Sequence, residues 1–474
     1  MIATHKVSGL QWLRLGISQL GDAGEPPLSY LWRSFMGERG ALRPAKGISM
    51  NWAPFAAAIF AVLPAFALAE PAPRSTFAIS PPSPTAPKLT TAYSFTYGSG
   101  SHGGLVSDAS GNLYGTTGGS VFKLTPARGS GWTATVLYRF GSEGMPGYMS
   151  MAGVTLDNAG NIYGTTSMSE TGYGTVFMLV PPGSTTRGPA CVPVSPNAMC
   201  MRVLWSFTNG ADGGTPYGGV VLSAGGKLYG TTTSGGATPN KWGVVFELDP
   251  AAPAGTPPVT LVDFGALQPQ GGYLVSPRGD LAYDNKTGNL YGVAGWGIFQ
   301  LAPSSSSWIF SVLHMLNFDQ SEGYDSPGGM ILDSSGNLYG TTAVGSGDTA
   351  YGTVFRLNNS GATTPWSLDV LYSFNGAQGQ ARNPEAGVAF GPKGTLWLTT
   401  QAGGASGEGA VVQLTPPGGA CPAVAPRWCE TWVGSLNLFK GANSNGAPLF
   451  VNGVLYATTI SGGSATQGAV VQVK

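Results

Sequence analysis

Apolar positions in this chain fall in short runs, broken by turns rich in Gly, Asn and Asp, and the runs return in a fixed order. One stretch shows the unit. Gly153-Val154-Thr155-Leu156-Asp157 predicts a short strand, Asn158-Ala159-Gly160 a turn, and Asn161 to Thr166 a second strand. A loop of Gly, Ser and Thr leads to a third strand at Gly174–Leu179, and a longer connection reaches a fourth at Val203–Phe207. The turn and second strand read Gly-Asn-Leu-Tyr-Gly-Thr-Thr at Gly111–Thr117. Variants recur at Gly160–Thr166, Gly226–Thr232, Gly288–Ala294, Gly336–Thr342, Gly394–Thr400 and Gly453–Thr459. From Tyr114 to Tyr456 the spacing averages 57 residues. Four strands in a unit of that size predict an all-β chain, a seven-bladed β-propeller of four-stranded blades.

The pattern also predicts how the blades are built. Val-Phe-x-Leu and Val-Leu-Tyr-x-Phe are nearly continuous apolar runs, which suits strands buried on both faces by neighbouring blades. The seventh unit has only three strands, Pro448–Val451, Val454–Thr459 and Ala469–Val473. The amino-terminal Thr91-Ala92-Tyr93-Ser94-Phe95 is the missing fourth in sequence, so the first strand is expected to complete the last blade and leave no open edge. The longest regular connection runs from each Ser-Phe strand to the next Gly-Val strand. It should be the crossover between blades, placing Leu105–Asp108, Val154–Asp157 and Val220–Ser223 along a central channel. The pairs Gly103-Gly104 and Gly218-Gly219 would relieve crowding there. Turns of Asp-x-x-Gly-Asn type should lie on one face, and crossovers and glycine loops on the other. The second face, or the channel mouth, is the expected place for a large-ligand site.

Composition adds a compartment. Gly accounts for 74 of 474 residues and charged residues for only 10%, yet 42% hydrophobic content is too apolar for disorder. An apolar run from Ala53 to Leu68 follows Arg39, Arg43 and Lys46 and ends Ala67-Leu68-Ala69, the order of a secretory signal. Residues 1–69 are thus expected to be a leader, with the true start at Met36 or Met50 as alternatives. Residues 70–88, with six prolines, are a semi-rigid linker, and 89–474 the propeller. The expected location is secreted, periplasmic or extracellular, with no membrane span after cleavage. Beyond residue 69 the chain carries 17 basic and 20 acidic residues, scattered singly, which disfavours nucleic acid as a partner.

Four cysteines agree with export. Cys191 and Cys200 lie in one Pro-rich insertion and Cys421 and Cys429 in another, at the same point of their repeats. Two local disulfides are expected. The pairs are too distant in sequence, and too poor in His, for zinc.

The repeated polar groups of Gly-Asn-Leu-Tyr-Gly-Thr-Thr read most simply as structure. Asp108, Asp157, Asp284 and Asp333 lead into turns whose amides a carboxylate can satisfy, the Tyr packs between blades, and Thr suits strands by its branching. One carboxylate per turn falls short of a calcium site. Beyond the leader only His102 and His314 remain, and no nucleophile elbow or zinc motif occurs. Candidate binding residues concentrate in the crossovers: His102; Asp212 with Tyr217; and Asp319, Glu322 and Asp325 around Tyr324. No catalytic or metal-binding residue is assigned, and no cofactor is expected.

At the residues Leu-Tyr-Gly-Thr-Thr, Gly174–Leu179, Gly352–Leu357 and Leu371-Tyr372-Ser373-Phe374, the chain resembles the bacterial GloVer tandem-repeat family, over roughly Ala92 to Val473. That resemblance implies an exported repeat protein of no established activity, in a family with varied carboxy-terminal anchors. The sequence reaches Lys474 directly after its last strand, so no sorting tail is expected. The turn pattern is also similar to other propeller repeats, at the level of fold alone. The expectation is a secreted, monomeric, non-catalytic propeller that binds an extracellular glycan or a cell-envelope protein. Two alternatives stay open: a hydrolase or lyase acting on polysaccharide, and a passive structural repeat.

Overall fold

The computed structural model describes residues 87–474 apart from 97–99, 130, 142–148, 170–171, 194, 196, 268–273, 306, 318–320, 346–349, 360, 362–365, 378, 419–420 and 422–425. The expected leader, and all but the last two residues of the linker, lie outside the described residues.

Seven four-stranded antiparallel sheets form a ring, a seven-bladed β-propeller. Blade 1 comprises Val106–Ser107, Leu113–Thr117, Ser120–Pro126 and Trp132–Arg139, in that order across the sheet. Blades 2 to 5 repeat the arrangement from Thr155–Leu156 to Cys200–Ser206, from Val221–Leu222 to Val259–Asp263, from Ala282–Tyr283 to Trp308–Met315, and from Ile331–Leu332 to Ser367–Ser373. Blade 6 runs from Ala389–Phe390 to Cys429–Ser435, with an extra ribbon pairing Ala381–Arg382 with Ala402–Gly403. Blade 7 contains Leu449–Val451, Val454–Thr458 and Ala469–Val473, and its outermost strand is Leu89–Ser94, antiparallel to Ala469–Val473.

Burial follows position in the blade. The second and third strands are buried throughout in blade 2, at Ile162–Thr166 and Thr175–Val180, where neighbouring blades cover both faces. The outermost strands depart from the continuous burial expected of them. Trp132–Arg139 mixes buried, half-buried and exposed residues, and Val136, Val312 and Trp432 are exposed, because these strands have a wet side at the rim of the disc.

A pairing rule runs through the middle strands. In blades 1 to 5 the motif glycine sits directly opposite the Phe of the third strand: Gly115 with Phe122, Gly164 with Phe177, Gly230 with Phe246, Gly292 with Phe299 and Gly340 with Phe355. A Cβ on Gly164 would lie 2.6 Å from the Phe177 ring, so the ring occupies the space that a side chain would take. Blade 6 pairs Leu398 with Val412 and blade 7 pairs Ala457 with Val471. Where the glycine goes, the Phe goes with it. The same rings join blades: Phe95 packs on Phe122, Phe140 on Phe177, Phe207 on Phe246 and Phe264 on Phe299, at 4.9 to 5.5 Å between centroids.

Every outermost strand carries a bulge at one register point, as between Val121 and Phe122 of blade 1 and between Val354 and Phe355 of blade 5. The bulged residues there are Leu137 and Leu371, and their carbonyls accept hydrogen bonds from the next blade, from Met199 N at 2.8 Å and Trp428 N at 2.8 Å. Both donors belong to the cysteine insertions. Disulfides Cys191–Cys200 and Cys421–Cys429, with Cα–Cα distances of 5.6 and 5.5 Å, tie each insertion to the start of its own outermost strand. Each insertion therefore clamps its blade to the preceding one.

Candidate functional site

The Gly-Thr-Thr triplet builds the floor beneath the site. Its first Thr reaches across to the next blade and donates to a carbonyl at the head of that blade's inner strand. Thr116 donates to Ala152 O at 2.6 Å, Thr165 to Gly218 O at 2.9 Å and Thr231 to Gly279 O at 3.5 Å. Thr341 donates to Ala386 O at 2.8 Å, Thr399 to Gly446 O at 3.3 Å, and Thr458 to Gly103 O at 2.8 Å. Six seams thus carry the same hydroxyl latch. Blade 4 has Val293 at this position and has no hydroxyl to give. The second Thr works within its own blade, as in Thr166 with Thr175 and Thr342 with Thr353, both at 2.8 Å. Branching accounts for neither hydroxyl.

The latched carbonyls belong to a ring of small residues, one pair per blade: Gly103-Gly104, Ala152-Gly153, Gly218-Gly219, Gly279-Asp280, Gly328-Gly329, Ala386-Gly387 and Gly446-Ala447. Neighbouring pairs touch through backbone. A Cβ on Gly103 would lie 2.0 Å from Gly153 N, and one on Gly446 would lie 2.4 Å from Gly103 O. Asp280 is the exception among these small residues. It is open to the channel yet surrounded by protein, between Gly219 of blade 3 and Gly329 of blade 5, and its Oδ1 accepts from Gly219 N at 2.6 Å. That enclosure holds its carboxyl above the usual carboxylate range.

Immediately before each small pair stands one variable side chain: His102, Met151, Tyr217, Arg278, Pro327, Glu385 and Asn445. Because the pairs form a ring, these residues form a second ring around the channel mouth, on the crossover face. Two positions earlier the backbone is left-handed without glycine in six blades, at Met149, Thr215, Ser276, Asp325, Asn383 and Asn443. Such strain holds the crossover in one shape.

Charged and polar members gather on one side. Asn445 Nδ2 donates to Glu385 Oε2 at 3.1 Å. Burial first, then the negative charge of Asp325, raises the Glu385 carboxyl above its ordinary range, against the opposing pull of Arg278. Blades 4, 5, 6 and 7 thus bring Arg278, Asp325, Glu385 and Asn445 within electrostatic reach of one another. Beside them, a cleft of about 170 Å³ opens between blades 4 and 5, lined by Val275, Ser276, Arg278, Val293, Gly295, Asp325 and Ser326. Trp296 and Tyr324 stack at 5.0 Å, next along the chain from Gly295 and Asp325. His102, in blade 1 across the ring from that cleft, is held below its usual range by burial.

The candidates named from sequence divide accordingly. His102, Tyr217 and Asp325 stand at the mouth. Asp212 lies in the first half of its crossover, at the rim, where its Oδ2 accepts from Trp205 Nε1 and Thr208 N, both at 2.9 Å. Glu322 does the same one blade pair later, accepting from Asn317 N at 3.0 Å and meeting His314 Nε2 at 3.0 Å. Both carboxylates anchor crossovers to outermost strands. Tyr324 pairs with Val344 through its backbone and with Trp296 through its ring. Asp319 lies outside the described residues. Arg278, Glu385, Asn445 and Asp280 escaped the sequence reading. Aligning the seven copies on their small pairs, rather than on Leu-Tyr-Gly-Thr-Thr, would have exposed all four.

On the opposite face the Asp turns are structural. Asp108 Oδ1 accepts from Ser110 N and Asn112 N, and its Oδ2 from Asn112 Nδ2 and Tyr114 Oη, at 2.6 to 3.0 Å. Asp157 and Asp333 repeat the set with Tyr163 and Tyr339. No metal-binding cluster of three or more His, Cys, Asp or Glu occurs among the described residues. Nor is any helix there long and apolar enough to cross a membrane. The two disulfides suit an oxidising compartment.

No curated protein matches the sequence. Among solved structures, a catalytically inactive variant of virginiamycin B lyase from Staphylococcus aureus, crystallised with quinupristin, is similar with a TM-score of 0.50 at 11% identity. The match covers 82% of this chain and 99% of that one. The extracellular domain of a putative one-component system of B. thetaiotaomicron also has a TM-score of 0.50, at 12% identity, covering 82% of this chain and 42% of that one. At these identities the likeness is one of fold. The Gloeobacter/Verrucomicrobia repeat model matches residues 118–298 and 295–474, and the chain belongs to that family.

Proposed function

We propose that this is an exported, non-catalytic binding protein, and that it holds an extracellular glycan at the channel mouth of the crossover face. One observation carries the reading. The blades repeat one another in the residues that build the ring, yet each presents a different side chain at the mouth, from His102 round to Asn445. Beneath these differing side chains the same left-handed backbone recurs in six blades, a strain that a passive spacer does not need. The groups offered there are a guanidinium, carboxylates, an amide and the exposed Tyr217. Together they suit a ligand rich in hydroxyl groups, with sugar faces for the ring and acceptors and donors around it.

A glycan array probed with the purified protein, beside a variant carrying Tyr217→Ala and Asn445→Ala, tests the reading. Binding to one glycan class, lost in the variant without loss of thermal stability, is expected. Equal binding by both proteins, or none by either, would overturn it.

A second reading, a polysaccharide hydrolase or lyase, is favoured by Glu385, whose carboxyl is raised by burial first and then by the nearby charge of Asp325, as a general acid requires. Release of reducing ends or unsaturated products from a bound polysaccharide, abolished by Glu385→Gln, would establish it in place of simple binding.

A further inference from the structure

The cleft between blades 4 and 5 coincides with the seam that lacks a threonine latch. In the seam between blades 6 and 7, Ser444 stands in the crossover; its hydroxyl meets Thr399 Oγ1 at 2.8 Å and Thr458 O of its own blade at 2.7 Å, while Thr399 also holds Gly446 O. Ser326 occupies the same place in the crossover before blade 5, and facing it, where Thr399 would be, is Val293. Ser326 is only 7% exposed and its hydroxyl has no hydrogen-bond partner. A buried hydroxyl left unpaired is costly, since it has given up water and gained nothing in return. Here it faces a cleft with a guanidinium and a carboxylate at its mouth and two valines in its wall.

We infer that this cleft is a subsite for a carboxylate-bearing sugar, a uronic acid residue of a larger glycan, and this rests on the glycan-binding reading above. Arg278 takes the sugar carboxylate through its planar fork. Asp325 accepts hydrogen bonds from ring hydroxyls, and Ser326 supplies the hydroxyl that no protein group engages. Val275 and Val293 offer apolar wall to the C–H face of the ring. A cleft of about 170 Å³ holds one sugar ring rather than a chain, so the rest of the glycan would continue across the channel mouth toward Glu385 and Asn445.

Titration calorimetry with trisaccharides of galacturonate, glucuronate and mannuronate tests this, each beside its methyl ester, which keeps the shape and removes the charge. At least one acid is expected to bind at least ~10-fold more tightly than its ester, the weight of a charged hydrogen bond. Arg278→Gln should bring that acid down to the ester's affinity and leave the ester unchanged; Arg278 is exposed, so folding is not at stake. Ser326→Ala should weaken both acid and ester by a smaller factor. If acid and ester bind alike, or Arg278→Gln changes nothing, the uronate inference is wrong while glycan binding at the mouth stands. If these trisaccharides fail but neutral glycans bind through Tyr217 and Asn445, the same conclusion follows. If no glycan binds at all, both readings fall.

Discussion

The seam between blades 6 and 7 and the seam between blades 4 and 5 both set a crossover serine beside the strand of the preceding blade, and they differ in the residue that faces it, Thr399 in one and Val293 in the other. In the first, Thr399 holds the carbonyl of Gly446 and meets Ser444, so the polar groups at the inner end of the seam are all engaged. In the second, Val293 offers no hydroxyl, Ser326 has no hydrogen-bond partner, and a cleft opens at that point. By the inference drawn above, a repeat protein creates a binding place by omitting a structural group from a single copy, with no motif added.

Four measurements would break or sharpen that contrast. The largest effect is expected where seams meet backbone to backbone. Gly103→Ala places a methyl 2.0 Å from Gly153 N and should cost about 3 kcal/mol, read as a fall in unfolding midpoint. At the open seam the equivalent glycine is Gly279, where a Cβ would lie 2.9 Å from Gly328 O, and Gly279→Ala should cost less. Equal losses would mean that the two seams are equally tight. Next comes the clamp. Replacing Cys191 and Cys200 by Ala frees the insertion that holds Leu137 O through Met199, and should cost about 2–3 kcal/mol. Denaturant melts of the variant, beside wild type under reducing conditions, would measure it.

Thr399→Val would convert a latched seam to the open kind, at a cost of about 1–2 kcal/mol. The reverse change, Val293→Thr, gives Ser326 a partner and should stabilise by about 1 kcal/mol or less. It should also weaken any ligand that relies on that hydroxyl. A stabilised protein with unchanged ligand affinity would sever the link between the missing latch and the site.

Much of the ring was legible because its signals repeat. Period, strand order and the partner for Leu89–Ser94 all follow from seven noisy copies of one pattern, and each copy corrects the others. The cysteines were legible because their spacing is local. The mouth was harder to read because its residues occur once per blade and share nothing but position. Asp212 and Glu322 drew attention as carboxylates in crossovers, but a crossover begins at the rim and ends at the channel, and charge alone does not say which half a residue occupies. Asp325, three residues beyond Glu322, already belongs to the other end. The threonine latches were missed for a different reason. Branching explains Thr in a strand well enough to hide the hydroxyl's separate bond to the next blade.

The pairing of Leu89–Ser94 with Ala469–Val473 has a mechanical consequence. Lys88 and Lys474 exchange backbone hydrogen bonds at one end of that antiparallel ladder, Lys88 N to Lys474 O at 2.8 Å and Lys474 N to Lys88 O at 3.3 Å. Force applied between these two points would load the ladder one bond at a time, as in a zip, rather than shearing all its bonds together. Force applied at residue 88 against a ligand gripped at the channel mouth would instead pass across blade 7 and into its neighbours. The direction of a pull, as much as its strength, would decide whether the ring stays whole under load.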